Sequence, residues 1–430
     1  MSANTTNRHR PIFMLLAAFL LSGWALGEQS ATPADGWAQF RGPGRSGVSK
    51  ESGLTRTWPE NGPPILWRQE LGEGFSGISV AGDDLYTLYA VGDEELAGSF
   101  SAADGSPRWS VKIGSKYLDE WGNGPRATPT IDGEVAYVLG SAGRLLALDV
   151  ADGGLLWEVN LVATFGPSRG RFNMEGMIPD YEETNTSEFG HCSSPLIVDD
   201  VLIAYTGAGN GKSLVALDKH TGRTRWSVLD AGSAHSSPAL MEIAGQRQIV
   251  QVMPQEIAAV SPSGEVLWQF PWVQFNISQP VFVAPSMIFA STGNDVGAVL
   301  IEVADQDSGF NVEPRWRQRQ MRNSWGSSVF HGGHIYGFDN ATLKCLDAES
   351  AEVRWAKRGL GKGSLIVGDG LLIVLSDQGM LAVAEATPEE YRELGRMKVL
   401  EGPTWTAPSL SRGKLFLRNH RGMVCIDLVR

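Results

Sequence analysis

The residues best able to hold a ligand fall in short polar segments, each just ahead of an apolar run. Arg126, His191 and His235 head three of these segments, and Asn276 with Gln279 marks the next. Arg322, Asn323 and Trp325 form another, and Lys362 and Trp405 head two more. Guanidinium groups offer a planar fork to a carboxylate. Amides fix orientation, and indoles supply flat apolar surface. Protonation of His191 and His235 below about pH 6.5 would add positive charge. The set therefore suits an anionic or polar small ligand, or part of a protein partner. It suits no metal, because these segments hold no carboxylate. The competing reading is that each group merely satisfies a strand end around a water-filled funnel.

No catalytic constellation stands out. The three cysteines, Cys192, Cys345 and Cys425, are never adjacent, and no Cys/His spacing matches a zinc site. Cys192 beside His191 reads either as a buried thiol or as a reactive one, which needs electropositive surroundings. Thr206 to Ser213 has the look of a phosphate loop but fails on spacing, since the first glycine would have to be residue 206. A strand also follows where that motif needs a helix, so Gly207 to Lys212 reads as a hairpin loop.

The elements that position these segments show up as an internal repeat. Arg144 to Asp149, then Asp152-Gly153 and Trp157, is repeated as Ser213 to Asp218, then Thr221-Gly222 and Trp226. Thr342 to Asp347 followed by Trp355 is a third copy. The unit-ending tryptophans are Trp67, Trp109, Trp157, Trp226, Trp268, Trp316 and Trp355, spaced 42, 48, 69, 42, 48 and 39 residues apart. A further unit around Leu381 to Leu394 keeps the pattern without its Trp. Each unit reads as four short strands with glycine at the turns. Eight such units stacked radially bury both faces of every sheet and leave only short edges. The C-terminal tail supplies strands at Lys414 to Leu417 and Met423 to Leu428 but no Trp strand, whereas Ile65 to Arg68 is a Trp strand with no blade before it. The reading is an all-β, eight-bladed propeller of four-stranded antiparallel blades, its ring closed by the N-terminal strand.

These residues resemble the pyrroloquinoline-quinone-like β-propeller repeat family. Trp37 to Pro43 is similar to the family's N-terminal signature, and Ala147-Leu148-Asp149, Asp152-Gly153 and Trp157 to its tryptophan-docking repeat. Gly359 to Ser364, Glu385 to Pro388 and Leu417-Arg418 are similar to its exported single-propeller branch. The family includes quinone-dependent alcohol dehydrogenases and a scaffold lipoprotein of outer-membrane barrel assembly, so the resemblance implies fold more than activity. The dehydrogenases use adjacent cysteines, a Ca²⁺ held by carboxylate and amide oxygens, and an Asp base. This chain lacks adjacent cysteines and a haem-attaching Cys-x-x-Cys-His. The leading expectation is a non-catalytic binding or scaffold protein without a cofactor. The alternative is a dehydrogenase of alcohols or polyols using pyrroloquinoline quinone (PQQ) with Ca²⁺.

Charge and termini narrow the class. The net charge of −12 argues against nucleic acid, which requires a basic face. Arg8 and Arg10 precede an apolar run from Ile12 to Leu21, and Ala25-Leu26-Gly27 offers small residues for cleavage. Residues 1–27 are thus expected to be a signal peptide that directs a monomer to the periplasm or outside. The run is short for a membrane span, and no transmembrane segment is expected after cleavage. Residues 28–64 are then an N-terminal extension and 65–430 the propeller. The longest Trp spacing marks an insertion, about Ala163 to Glu188, expected to form a loop over one face or to be disordered.

Overall fold

The computed structural model describes residues 36–171, 180–183, 189–272, 278–293, 296–307 and 309–429. Seven consecutive four-stranded antiparallel sheets span residues 79–115, 130–160, 196–228, 239–271, 281–318, 329–357 and 363–398. The eighth is composite. Ile65–Glu70 pairs with Gly422–Asp427, followed by Lys414–Arg418 and Ser409–Ser411. The chain is an eight-bladed propeller closed by its N-terminal strand. Among the described residues only Leu161–Phe165 is α-helical, and no helix is long and apolar enough to cross a membrane.

The Trp repeat follows from how the blades meet. Within a blade the Trp faces a small residue across the ladder: Ala147 for Trp157, Ala216 for Trp226, Cys345 for Trp355 and Cys425 for Trp67. Between blades, the indole reaches the next unit's last turn. Trp109 Nε1 donates to Val150 O at 2.8 Å, and Trp157 Nε1 to Lys219 O at 2.9 Å. Gly153 has a positive φ, and a Cβ there would lie 2.9 Å from the Trp109 ring. Its Asp-Gly turn therefore needs glycine both for backbone conformation and for room under the indole. Trp268 departs from the pattern, donating to Gln248 Oε1 of its own blade at 2.6 Å.

The seventh blade lacks its Trp, and the structure shows what stands in its place. Gly395 pairs with Val383 in the slot that Trp fills elsewhere. The indole of Trp58, from the N-terminal extension, lies against it; a Cβ on Gly395 would come within 2.8 Å of the Trp58 ring.

The rest of the extension crosses the ring's interior. Trp37 bridges to Val80 in blade one, and Val48 to Val367 in blade seven. Between them Arg45 donates to Ser194 O and Pro238 O at 3.1 and 2.9 Å, and also to Pro195 O, joining blades three and four. Arg41 donates to Ser328 O in blade six at 2.8 Å. Both side chains are buried, and desolvation lowers their pKa, to about 10 for Arg41 and about 9 for Arg45. Arg418 closes the ring in the same manner, donating to Gly74 O, Thr87 Oγ1 and Leu88 O, each at 2.8 Å.

The insertion after blade two begins with Leu161–Phe165, capped by Asn160, and continues as Arg169–Arg171 paired with Asp180–Glu183. The part bearing Phe172, Met174 and Met177 lies outside the described residues.

Candidate ligand-binding site

Just before the inner strands, a chain of hydrogen bonds runs from blade to blade. Gly77 N donates to Thr128 Oγ1 (3.0 Å), Thr128 N to Ser194 Oγ (2.9 Å) and Ser194 N to Ser237 Oγ (2.9 Å). Ser237 N then donates to Gln279 Oε1 (3.0 Å), and Gln279 N to Ser327 Oγ (3.0 Å). This ladder sets the true equivalence between repeats. Two residues before each rung stand Phe75, Arg126, Cys192, His235 and Trp325. Lys362 and Trp405 hold the same place relative to Ser364 and Ala407. The remaining blade puts residue 277 there, outside the described residues, as is the candidate Asn276.

All seven of these side chains line one cavity of about 410 Å³. Its floor is the crossing extension, through Trp37, Phe40 and Arg41. Aromatic and cationic groups form a continuous column around half the wall. The Arg126 guanidinium lies 5.7 Å from the Phe75 ring centre. Phe75 stacks on Trp405 at 4.8 Å and 16°, and Trp405 meets Trp325 at 5.2 Å and 35°. Lys362 Nζ sits 4.8 Å above Trp325. On its other side Arg126 lies 5.8 Å from the Phe189 ring centre, and Phe189 stands edge-on to His235 at 4.9 Å. Arg126 is positioned by donating to Gly122 O (2.8 Å) and Gly124 O (3.1 Å), with Asp119 3.7 Å away.

The candidates read from the sequence divide accordingly. Arg126, His235, Gln279, Asn323, Trp325, Lys362 and Trp405 line the cavity. Gln279 does so as a ladder rung. Asn323 holds its own segment, donating to Phe338 O at 2.8 Å and accepting from Ser328 Oγ at 3.0 Å. Arg322 does not line the cavity: it lies five residues before rung Ser327 and pairs with Asp339 at 2.6 Å.

Of the residues that head the first three segments, His191 does not reach the cavity: the ladder matches Cys192, one residue later, to His235. Along an extended segment a one-residue shift turns the side chain to the other face. His191 is buried, with its ring against Gly143, and desolvation pushes its pKa down to about 4. Arg126, His191 and His235 therefore do not converge, and protonated His191 is not available to capture an anion near pH 6. Phe40, Arg41, Phe189 and Cys192 are site residues that the sequence reading missed. The Ser-Pro pairs at Ser194-Pro195 and Ser237-Pro238 carried the signal that would have aligned Cys192.

Burial disfavours the thiolate of Cys192. Cys192 donates to Phe189 O at 3.2 Å, and burial pushes its thiol up to about 12. Glu120, exposed at the rim, is the one carboxylate among the lining residues. No group of three His, Cys, Asp or Glu able to hold a metal occurs among the described residues.

Fold and site together define a tryptophan-docked propeller with an aromatic-walled mouth. The chain belongs to the PQQ-like repeat family described as outer membrane protein assembly factor BamB, whose model matches residues 55–174 and 183–357. Among solved structures it is similar to BamB from Moraxella catarrhalis, at 14% identity and TM-score 0.54, over 84% of this chain and 97% of that one. It is also similar to quinohemoprotein alcohol dehydrogenase from Comamonas testosteroni, at 12% identity and TM-score 0.62, over 94% and 82%. A computationally designed protein, Ika8, aligns at 9% identity and TM-score 0.53, over 84% of this chain and 99% of that one. At these identities the likeness is one of fold. No curated protein sequence matches the chain.

Proposed function

We propose that this chain is an exported, non-catalytic propeller that captures a small ligand, or a side chain or chain end of a protein partner, in the mouth cavity. The observation that carries this reading is the composition of one repeat position. At seven of the eight blades it contributes three aromatic rings, two cations, one imidazole and one thiol, all to one cavity. Such a surface binds by stacking and charge. Burial pushes the Cys192 thiol up to about 12, which argues against its use as a nucleophile. Export is supported by the N-terminal pattern and by a family description that names an outer membrane assembly factor.

The quinone–calcium alternative fits these residues poorly. A Ca²⁺ requires several oxygen ligands, but among the described residues Glu120 is the one carboxylate that lines the cavity. The amides of Gln279 and Asn323 are already engaged in holding the wall. Adjacent cysteines are absent from the sequence.

Uptake of a neutral planar dye, Nile red, tests the reading. Saturable fluorescence enhancement is expected with the wild-type protein, weakened about tenfold or more in Trp405→Ala. Equal uptake by the two proteins would place binding elsewhere, and no uptake would refute a competent aromatic cavity.

A further inference from the structure

The charges around the cavity point to a ligand class, on the premise that the cavity is a binding site. This is an acidic protein, with a net charge of −12. Yet three buried guanidiniums gather at its mouth and axis: Arg41 in the cavity floor, Arg45 beyond it, and Arg418 behind the Gly74-Phe75 corner. Each is held by neutral oxygens, and none has a carboxylate partner among the described residues. Arg41 is 3% exposed and lines the cavity, and its Nε has no hydrogen-bond partner. Lys362 lines the same cavity and leans on Trp325 without an ion pair among the described residues. Among the described residues the nearby acids are Asp119, which faces Arg126, the exposed Glu120, buried Glu95, which accepts from Tyr117 N and Ser141 N, and Asp377, whose N–H donates to Lys362 O; none of them forms an ion pair with Arg41 or Lys362.

Buried charge is ordinarily paired. Uncompensated cations beneath low-dielectric walls make a focused positive potential, which acts on whatever enters. The walls meanwhile set the body of the ligand. Phe40, Phe75, Trp325 and Trp405 offer apolar faces, and about 410 Å³ suits a compact molecule or two or three residues of a chain end.

We propose that the mouth selects an organic carboxylate with an aromatic or apolar body, the anion drawn to Arg41 and Lys362 and the body lying among Phe40, Phe75, Trp325 and Trp405. Two sources share this chemistry: a free aromatic carboxylate, and the C-terminus of a polypeptide ending in an apolar residue.

Matched acid and amide probes test the assignment on the full mature chain, read by tryptophan fluorescence. One pair is indole-3-acetate and indole-3-acetamide; the other is acetyl-Ala-Ala-Phe as free acid and as amide. At least one acid is expected to bind about tenfold or more tighter than its amide, with the preference falling as salt rises. Lys362→Met should reduce that preference to about threefold or less, and Lys362→Arg should restore it. Tighter binding of the free indole acid identifies a small-molecule ligand, and tighter binding of the peptide acid a chain end. Equal affinity of acid and amide in both pairs overturns the proposal while leaving the cavity as a binding site. Binding of neither pair by a protein that still takes up Nile red also overturns it. Loss of Nile red uptake as well removes the binding site itself.

Discussion

The indole of Trp67 lies against Gly105, and its Nε1 donates to Ala102 O at 3.2 Å. Trp67 belongs to the strand that completes blade eight, and Gly105 to the last turn of blade one. This one contact ties the first strand to both ends of the ring. Trp67→Ala should therefore cost about 3–5 kcal/mol, as a large-to-small core change, measured by urea unfolding. Deleting the chain through Arg68 should abolish cooperative unfolding. A truncated protein as stable as the full chain would contradict ring closure.

The crossing extension should be as structural as a blade. Arg45→Ala removes donors to Ser194 O, Pro195 O and Pro238 O together. Pro195 O keeps its bond from Thr130 Oγ1, while Ser194 O and Pro238 O are each left buried without that donor at about 1–3 kcal/mol, so the expected loss is at least about 2 kcal/mol. Limited proteolysis offers a second readout: cleavage within residues 36–54 should appear in Arg45→Ala but not in the wild type.

His191 makes stability depend on acid. Its folded pKa, about 4, lies below the ordinary 6.5 because burial disfavours the charged form. The unfolded chain therefore binds a proton that the folded protein does not between these values. Stability is full above pH 6.5, falls as pH drops toward 4, and levels off below. The loss from this group is about 3 kcal/mol at most. In His191→Gln, denaturant midpoints should be flatter across that window. An unchanged slope would show that His191 is exposed to solvent.

The cysteines should be inert. Burial pushes the thiols of Cys192, Cys345 and Cys425 each up to about 12. Thiolate at neutral pH is then scarcer by about 1,000-fold than for a free thiol. Native maleimide labelling should be at least about 100-fold slower than in urea. Peptide mapping without reductant should show no Cys345–Cys425 link, since they occupy the same slot in blades six and eight. A bridge between them would break the repeat alignment.

The fold was legible because the Trp spacing, the small residue opposite most of the Trp residues and the Asp-Gly turns all express one packing unit. Even the missing seventh Trp was visible as an absence. Its substitution by Trp58 was not, since a contact between Trp58 and Gly395 has no local pattern. The site was legible only in part. Segments near the inner strands were found, but His191 was aligned by residue type rather than by the Ser-Pro rung that follows. One residue of slip on an extended segment put the wrong side chain in the cavity. Arg41 and Phe40 were seen as a family signature, not as a floor, because residues that fill an axis have no periodicity to betray them.

The proposed function requires a mouth that binds a ligand without turning it over. Its most direct test is the spectrum and activity of the purified mature protein incubated with PQQ, with and without Ca²⁺, followed by dye-linked oxidation of primary alcohols and polyols. The expected result is no Ca²⁺-dependent quinone uptake and no dye reduction above a protein-free control. Calcium-dependent quinone uptake accompanied by turnover would contradict the account and make the Arg126–Phe75–Trp405–Trp325 wall an active site.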